Sequence, residues 1–171
     1  MSKAPHIGDR VIVSLLQPLA RGERFHKWPL HLTLMPWFRT NLPAYEVTKL
    51  MSAALQGVEP FTATMGETAR FGFKDQVPVR VVHAPNGFEE MHRRLLKAFH
   101  EHPEIEVLDG EHTGPNFRAH VTLHGYEPLR EGDIIACNDL QIVRLADVHP
   151  GGATKEVEGE IDLGKESKDE S

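Results

Sequence analysis

Trp28-Pro29-Leu30-His31-Leu32-Thr33-Leu34-Met35-Pro36-Trp37 is a short alternating stretch. Its pattern returns 89 positions later as Phe117-Arg118-Ala119-His120-Val121-Thr122-Leu123-His124-Gly125-Tyr126. Each copy reads aromatic, two residues, His, Leu or Val, Thr, Leu, two residues, aromatic. With 11 His, 9 Thr and 17 Leu in the chain, His-x-Thr-Leu is expected about 0.06 times by chance. Two copies with matching aromatics therefore mark a repeat. Side chains of a strand alternate between its faces. His31 and Thr33 then share one face, with Leu32 and Leu34 turned to the core. His120 and Thr122 do the same, with Val121 and Leu123 behind them. If the two halves are related by an approximate two-fold, both His-Thr pairs line opposite walls of one cleft.

The rest of the chain frames this repeat. Its 171 residues suit one domain, or one built of two similar halves. Arg10–Leu16 reads as a buried strand and Pro18–Lys27 as a polar loop. The first motif strand should stop near Pro36, since proline gives no donor to a ladder. A helix is expected from Pro43 to about Gln56, with Gly57 as its stop. Strand pieces follow at Phe61–Met65 and around Phe71–Phe73, then a strong strand at Val77–His83. Asn86 is positioned to cap a second helix carrying Phe88, Met91, Leu95, Leu96 and Phe99 at helical spacing, ended by Pro103. Asp109–Asn116 reads as loop and Phe117–Tyr126 as strand. Leu140–Val148 and Glu156–Leu163 are the closing strands. Strands with two good helices give an α+β class with mostly antiparallel sheets. The domain is expected to span residues 1–164, with 165–171 a charged tail.

Composition narrows the partners. The formal charge of −6 argues against a long nucleic-acid track, which would be driven by phosphate neutralisation. No run approaches 18 apolar residues, so no membrane span is expected. The first ten residues carry Lys3, His6, Asp9 and Arg10 and do not read as a signal peptide. A lone Cys137 rules out an internal disulfide and a multi-cysteine zinc site, and reads as buried and inert. A cytoplasmic monomer is the resulting expectation.

Two imidazoles and two hydroxyls converging on one point suit phosphodiester chemistry. In-line displacement at phosphorus needs a base for the attacking oxygen and an acid for the leaving one. Histidines near their pKa serve as both. Threonine hydroxyls can donate to the non-bridging oxygens, where charge builds up. No metal or cofactor is called for.

At these residues the chain resembles the two-histidine phosphoesterase superfamily, also called 2′-5′ RNA ligase-like proteins. The resemblance rests on His31-Leu32-Thr33-Leu34 and His120-Val121-Thr122-Leu123, and extends to Val79–Val82, the Phe88–His100 helix and the two closing strands, over about residues 8–164. In many members a proline precedes the motif histidine, whereas here Leu30 and Ala119 do. The resemblance implies a bilobal, pseudo-two-fold α+β domain: two mostly antiparallel sheets around a central cleft, with helices outside. It also implies His31 and His120 as the catalytic pair and Thr33 and Thr122 as phosphate-binding residues. The implied activity is a metal-independent phosphodiesterase acting on 2′,3′-cyclic phosphates or 2′-5′ linkages of a small nucleotide or RNA end. Ligation is the same chemistry run backwards.

Three further residues are candidate substrate contacts. Arg118 and His124 share the His120 face, and Phe73, with Phe71, lies in a region where family members often place an aromatic near the base. Trp28 and Phe117 fall on the opposite parity and are expected in the core; Trp37 and Tyr126 are expected as rim or core packing. The remaining histidines show no second paired cluster. Two readings from other classes stay open: a nucleotide- or RNA-end-binding module without turnover, and a histidine-rich metal-binding protein.

Overall fold

The computed structural model describes residues 4–84, 87–110, 112–123 and 129–164. The first motif strand is β3 (His31–Thr40). It continues beyond Pro36 instead of ending there. Two irregularities in its pairing with β1 (Arg10–Leu15) absorb the proline. A bulge leaves one residue out of the ladder, so the missing N–H costs no strand bond there. The same bulges put Leu34 and Met35, neighbours in sequence, both in the core.

The remaining strands are β2 (Arg24–Phe25), β4 (Phe61–Phe71), β5 (Val77–His83), β6 (Ile105–Val107), β7 (His120–Thr122), β8 (Ile134–Cys137), β9 (Asp139–His149) and β10 (Gly152–Asp162). They form one hydrogen-bonded sheet in the order β2-β10-β9-β1-β3-β7-β5-β4-β8, with β6 against the far end of β3. All of these pairings are antiparallel. The order is symmetric about its middle: β3-β1-β9-β10 on one side, β7-β5-β4-β8 on the other. The two expected lobes are these halves, and among the described residues their sheets meet through one residue pair, Leu32 with Val121.

The helices α1 (Ala44–Ala54) and α2 (Phe88–Glu101) cover one face. Phe88, Met91, Leu95 and Phe99 recur at helical spacing and bury an apolar stripe against β3. They join Leu32, Leu34, Phe38 and Val121 in one core cluster. A smaller cluster of Val11, Val13, Leu15, Val143 and Val157 lies apart from it, flanked by Phe25, Trp28 and Trp37.

Several local expectations are corrected. The two pieces expected around Gly66 are one strand, β4, with a register shift between Met65 and Thr68. Gly66 leaves room there for the His83 ring, which would have to shift for a Cβ 2.5 Å away. The second motif strand is only three residues, since a turn at Gly114–Asn116 precedes it. Gly114 enters that turn at φ 64, where glycine has no Cβ to clash. β2, β6 and β8 are short strands within stretches that read as loop or carry no clear period. Asn86, Tyr126 and the 165–171 tail lie outside the described residues.

Candidate active site

The Leu32–Val121 pairing decides the geometry. In an antiparallel pair, residues flanking a matched pair are matched in reverse order. His31 is therefore set beside Thr122, and Thr33 beside His120, all four on one face. Leu32 and Val121 are both 0% exposed and anchor the opposite face in the core. Directly opposed side chains lie about 5 Å apart and diagonal ones about 7–8 Å. Two histidines on that diagonal can flank one tetrahedral phosphate, with a hydroxyl beside each. The expected opposite walls of a cleft are thus two adjacent strands of one sheet.

Both rings are held alike. The His31 Nδ1–H donates to the Pro29 carbonyl at 2.9 Å, and the His120 Nδ1–H donates to the Arg118 carbonyl at 2.7 Å. A neutral ring that donates from Nδ1 carries its lone pair on Nε2. Each backbone carbonyl thus selects the tautomer and the ring's orientation.

Their neighbours differ. His31 stacks on Trp28, with centroids 4.2 Å apart and planes at 29°. His120 meets the edge of Phe71 at 4.7 Å. Burial lowers the His120 pKa; its bond to the Arg118 carbonyl opposes this, and the nearby His112 and Arg118 charges add to the lowering. Burial thus favours the neutral form of the His120 ring. A cavity of about 520 Å³ opens beside it. Thr33, Pro36, Phe71, His112, Arg118 and His120 are among its lining residues. His31 and Thr122, across the ladder, are outside that lining.

Residues 5–138 match the family model of the 2′-5′ RNA ligase superfamily. The chain belongs to that superfamily. No curated protein matches it. Neighbours of known structure share the fold at low identity. TT0787 of Thermus thermophilus is 20% identical, with TM-score 0.59 over 91% of this chain and 97% of that one. A protein described as a phosphoesterase is 15% identical, with TM-score 0.62 over 92% and 99%. Escherichia coli LigT, solved with NADP+, is 14% identical, with TM-score 0.56 over 94% and 100%. Membership of the superfamily supports activity of the phosphoesterase type.

The other candidates from sequence fall as follows. Arg118 lines the cavity with its guanidinium 5.0 Å over the Phe71 ring. Phe73 begins a single helical turn, Phe73–Asp75, but its side chain is outside the described residues, as is His124. Trp28 packs against the smaller core cluster, as expected, and also stacks on His31. Phe117 packs on the core and also lines the cavity. Cys137 is buried, and burial pushes its thiol up to about 11. Among the described residues, no three His, Cys, Asp or Glu come together to hold a metal. No helix among them is long and apolar enough to cross a membrane.

Sequence reasoning missed four lining residues, Arg70 near the end of β4, Asp75 in the helical turn after it, and Asp109 and His112 in the segment before β7, none of which carries a motif. It also missed His92, which is 1% exposed beneath the site. The signal for His92 was present: it stands four residues after Phe88 and three before Leu95, on the apolar stripe of α2.

Proposed function

We propose that the chain is a phosphodiesterase that opens 2′,3′-cyclic phosphates or 2′-5′ linkages at ribose, with His31 and His120 as acid and base. The Leu32–Val121 register carries this reading, because it gathers both histidines and both threonines on one face. In the hydrolytic direction His120 Nε2 takes a proton from water as the water oxygen bonds to phosphorus. The bond from phosphorus to the ribose oxygen breaks, and His31 supplies that oxygen with its proton. The depressed pKa of His120 supports its assignment as base. Thr33 and Thr122 donate to the non-bridging oxygens, whose charge grows in the transition state. Run backwards, the same steps form the linkage.

A small nucleotide or an RNA end is the proposed substrate. The cavity places Phe71 and Arg118 beside His120, offering a ring face and a cation to a nucleoside. LigT, a fold neighbour solved with NADP+ and with 3′-AMP, supports this substrate class. We propose that the enzyme acts as a cytoplasmic monomer without cofactor.

Hydrolysis of 2′,3′-cyclic nucleotides and 2′-5′ dinucleotides, with and without EDTA, tests the reading. Turnover that survives EDTA and disappears in the His31→Ala, His120→Ala double variant is the expected result. Turnover retained in that variant overturns the assignment. Tight binding with no turnover across the panel replaces it with the binding-module reading.

A further inference from the structure

Among the described residues, the strands that carry the two motifs are joined to each other by a single residue pair. A second link ties the same two segments together, and it runs through one side chain of α2. The Nδ1–H of His92 donates to the Leu34 carbonyl at 2.7 Å. Its Nε2 accepts from the Gly114 N–H at 2.9 Å. Phe117 stacks flat on the ring, 4.0 Å away with planes 8° apart. Leu34 is next to Thr33 on β3. Gly114 opens the turn that leads through Asn116, Phe117 and Arg118, all cavity-lining, to His120.

Only one form of the ring makes both bonds. Donation from Nδ1 and acceptance at Nε2 require the neutral Nδ1–H tautomer. A protonated ring would set Nε2–H against the Gly114 N–H.

We propose that His92 is a positioning residue. Its imidazole fixes the 112–117 wall of the cavity to β3, and so sets Arg118 and His120 in place relative to Thr33. This assignment rests on the function proposed above. Its surroundings favour the neutral ring: burial lowers the His92 pKa, against its bond to the Leu34 carbonyl and the charge of Glu89 on the same helix. From β3 and from the 112–117 segment the ring meets backbone groups and the Phe117 ring.

A purely structural histidine makes a different prediction, and two substitutions separate them. The amide of glutamine reaches the position of Nε2, so His92→Gln keeps an acceptor for Gly114. The amide of asparagine reaches the position of Nδ1, so His92→Asn keeps a donor for Leu34. Each variant leaves one backbone group without the ring's bond, the buried Leu34 carbonyl in one and the half-buried Gly114 N–H in the other, so both should lose stability, His92→Gln at least as much as His92→Asn. Positioning predicts unequal activity. The experiment measures kcat and KM for a 2′,3′-cyclic nucleotide, melting temperature, and amide hydrogen exchange at Gly114. In His92→Asn, exchange at Gly114 should accelerate and kcat/KM should fall about tenfold or more, as small misplacements do. His92→Gln should keep Gly114 protected and stay within about threefold of the parent. Equal losses in both variants that track melting temperature overturn the proposal. So does full activity in His92→Asn with Gly114 exchanging freely. If the parent protein turns over no phosphodiester, the functional reading fails by itself. His92 is then judged by nitrogen-15 NMR of its ring and by Gly114 exchange. An Nε2–H tautomer, or an unprotected Gly114 in the parent, overturns the link.

Discussion

The two motif arms share four residue types in the same order but stand in different surroundings. β3 runs ten residues, bonded to β1 and β7 and at its end to β6. β7 runs three, between β3 and β5. His31 rests on Trp28, whose ring also lies 5.6 Å from the Lys155 ammonium. His120 rests against Phe71, which Arg118 covers. Strand alternation makes the arms alike, and the loops before each strand make them differ. That difference supports the proposed division of acid from base: a shared fold places both rings, and burial lowers the pKa of His120.

The strongest way to break the comparison is to remove one ring at a time. His31→Ala and His120→Ala should each lower kcat by about 10²- to 10⁴-fold. The double variant should lose little more than the worse single one, since the two act on one transition state. Additive losses in steady-state kinetics would mean two independent sites. The hydroxyls come next. Thr33→Val and Thr122→Val should each cost about 10²-fold in kcat with smaller changes in KM. A loss from only one of them would confine phosphate stabilisation to one arm.

Behind the site, Leu32→Ala empties a fully buried position at the junction of the halves. It should destabilise the chain by about 2–5 kcal/mol in denaturant titration. Phe71→Ala sharpens the contrast in titration. Exposing His120 relieves the burial that lowers its pKa, so the acidic limb of the pH–rate profile should move to higher pH. The same substitution should leave the alkaline limb in place. Cys137 lies outside both arms. With its thiol pushed up to about 11, it should resist thiol reagents at pH 8, and Cys137→Ala should leave kcat/KM unchanged.

The repeat was legible because alternation is a property of single strands. His31, Thr33, His120 and Thr122 could be put on one face before any contact was known. The register that joins them could not, because it depends on pairing across 89 positions of chain. Pro36 misled in the same way: a proline stops a regular ladder, but a bulge, set by the partner strand, carries β3 past it. Trp28 was readable as core, but its stacking on His31 was not, because its ring comes from the segment before β3. Arg70, Asp75, Asp109 and His112 come from a strand end, a single helical turn and a loop, whose meeting at the cavity is set by tertiary contacts and carries no period. His92 falls between these cases. Its place on an apolar helical stripe was readable, but its two backbone partners, Leu34 and Gly114, lie on other elements.

The central claim is that two like motifs have divided the proton work between them. The pH dependence of kcat/KM for a 2′,3′-cyclic nucleotide, in the parent, His31→Ala and His120→Ala, tests it most directly. The account predicts a bell-shaped profile in the parent. His120→Ala should remove the acidic limb, which belongs to the base, and His31→Ala should remove the alkaline limb, which belongs to the acid. Profiles of unchanged shape in both variants, or limbs lost in the opposite order, would contradict it.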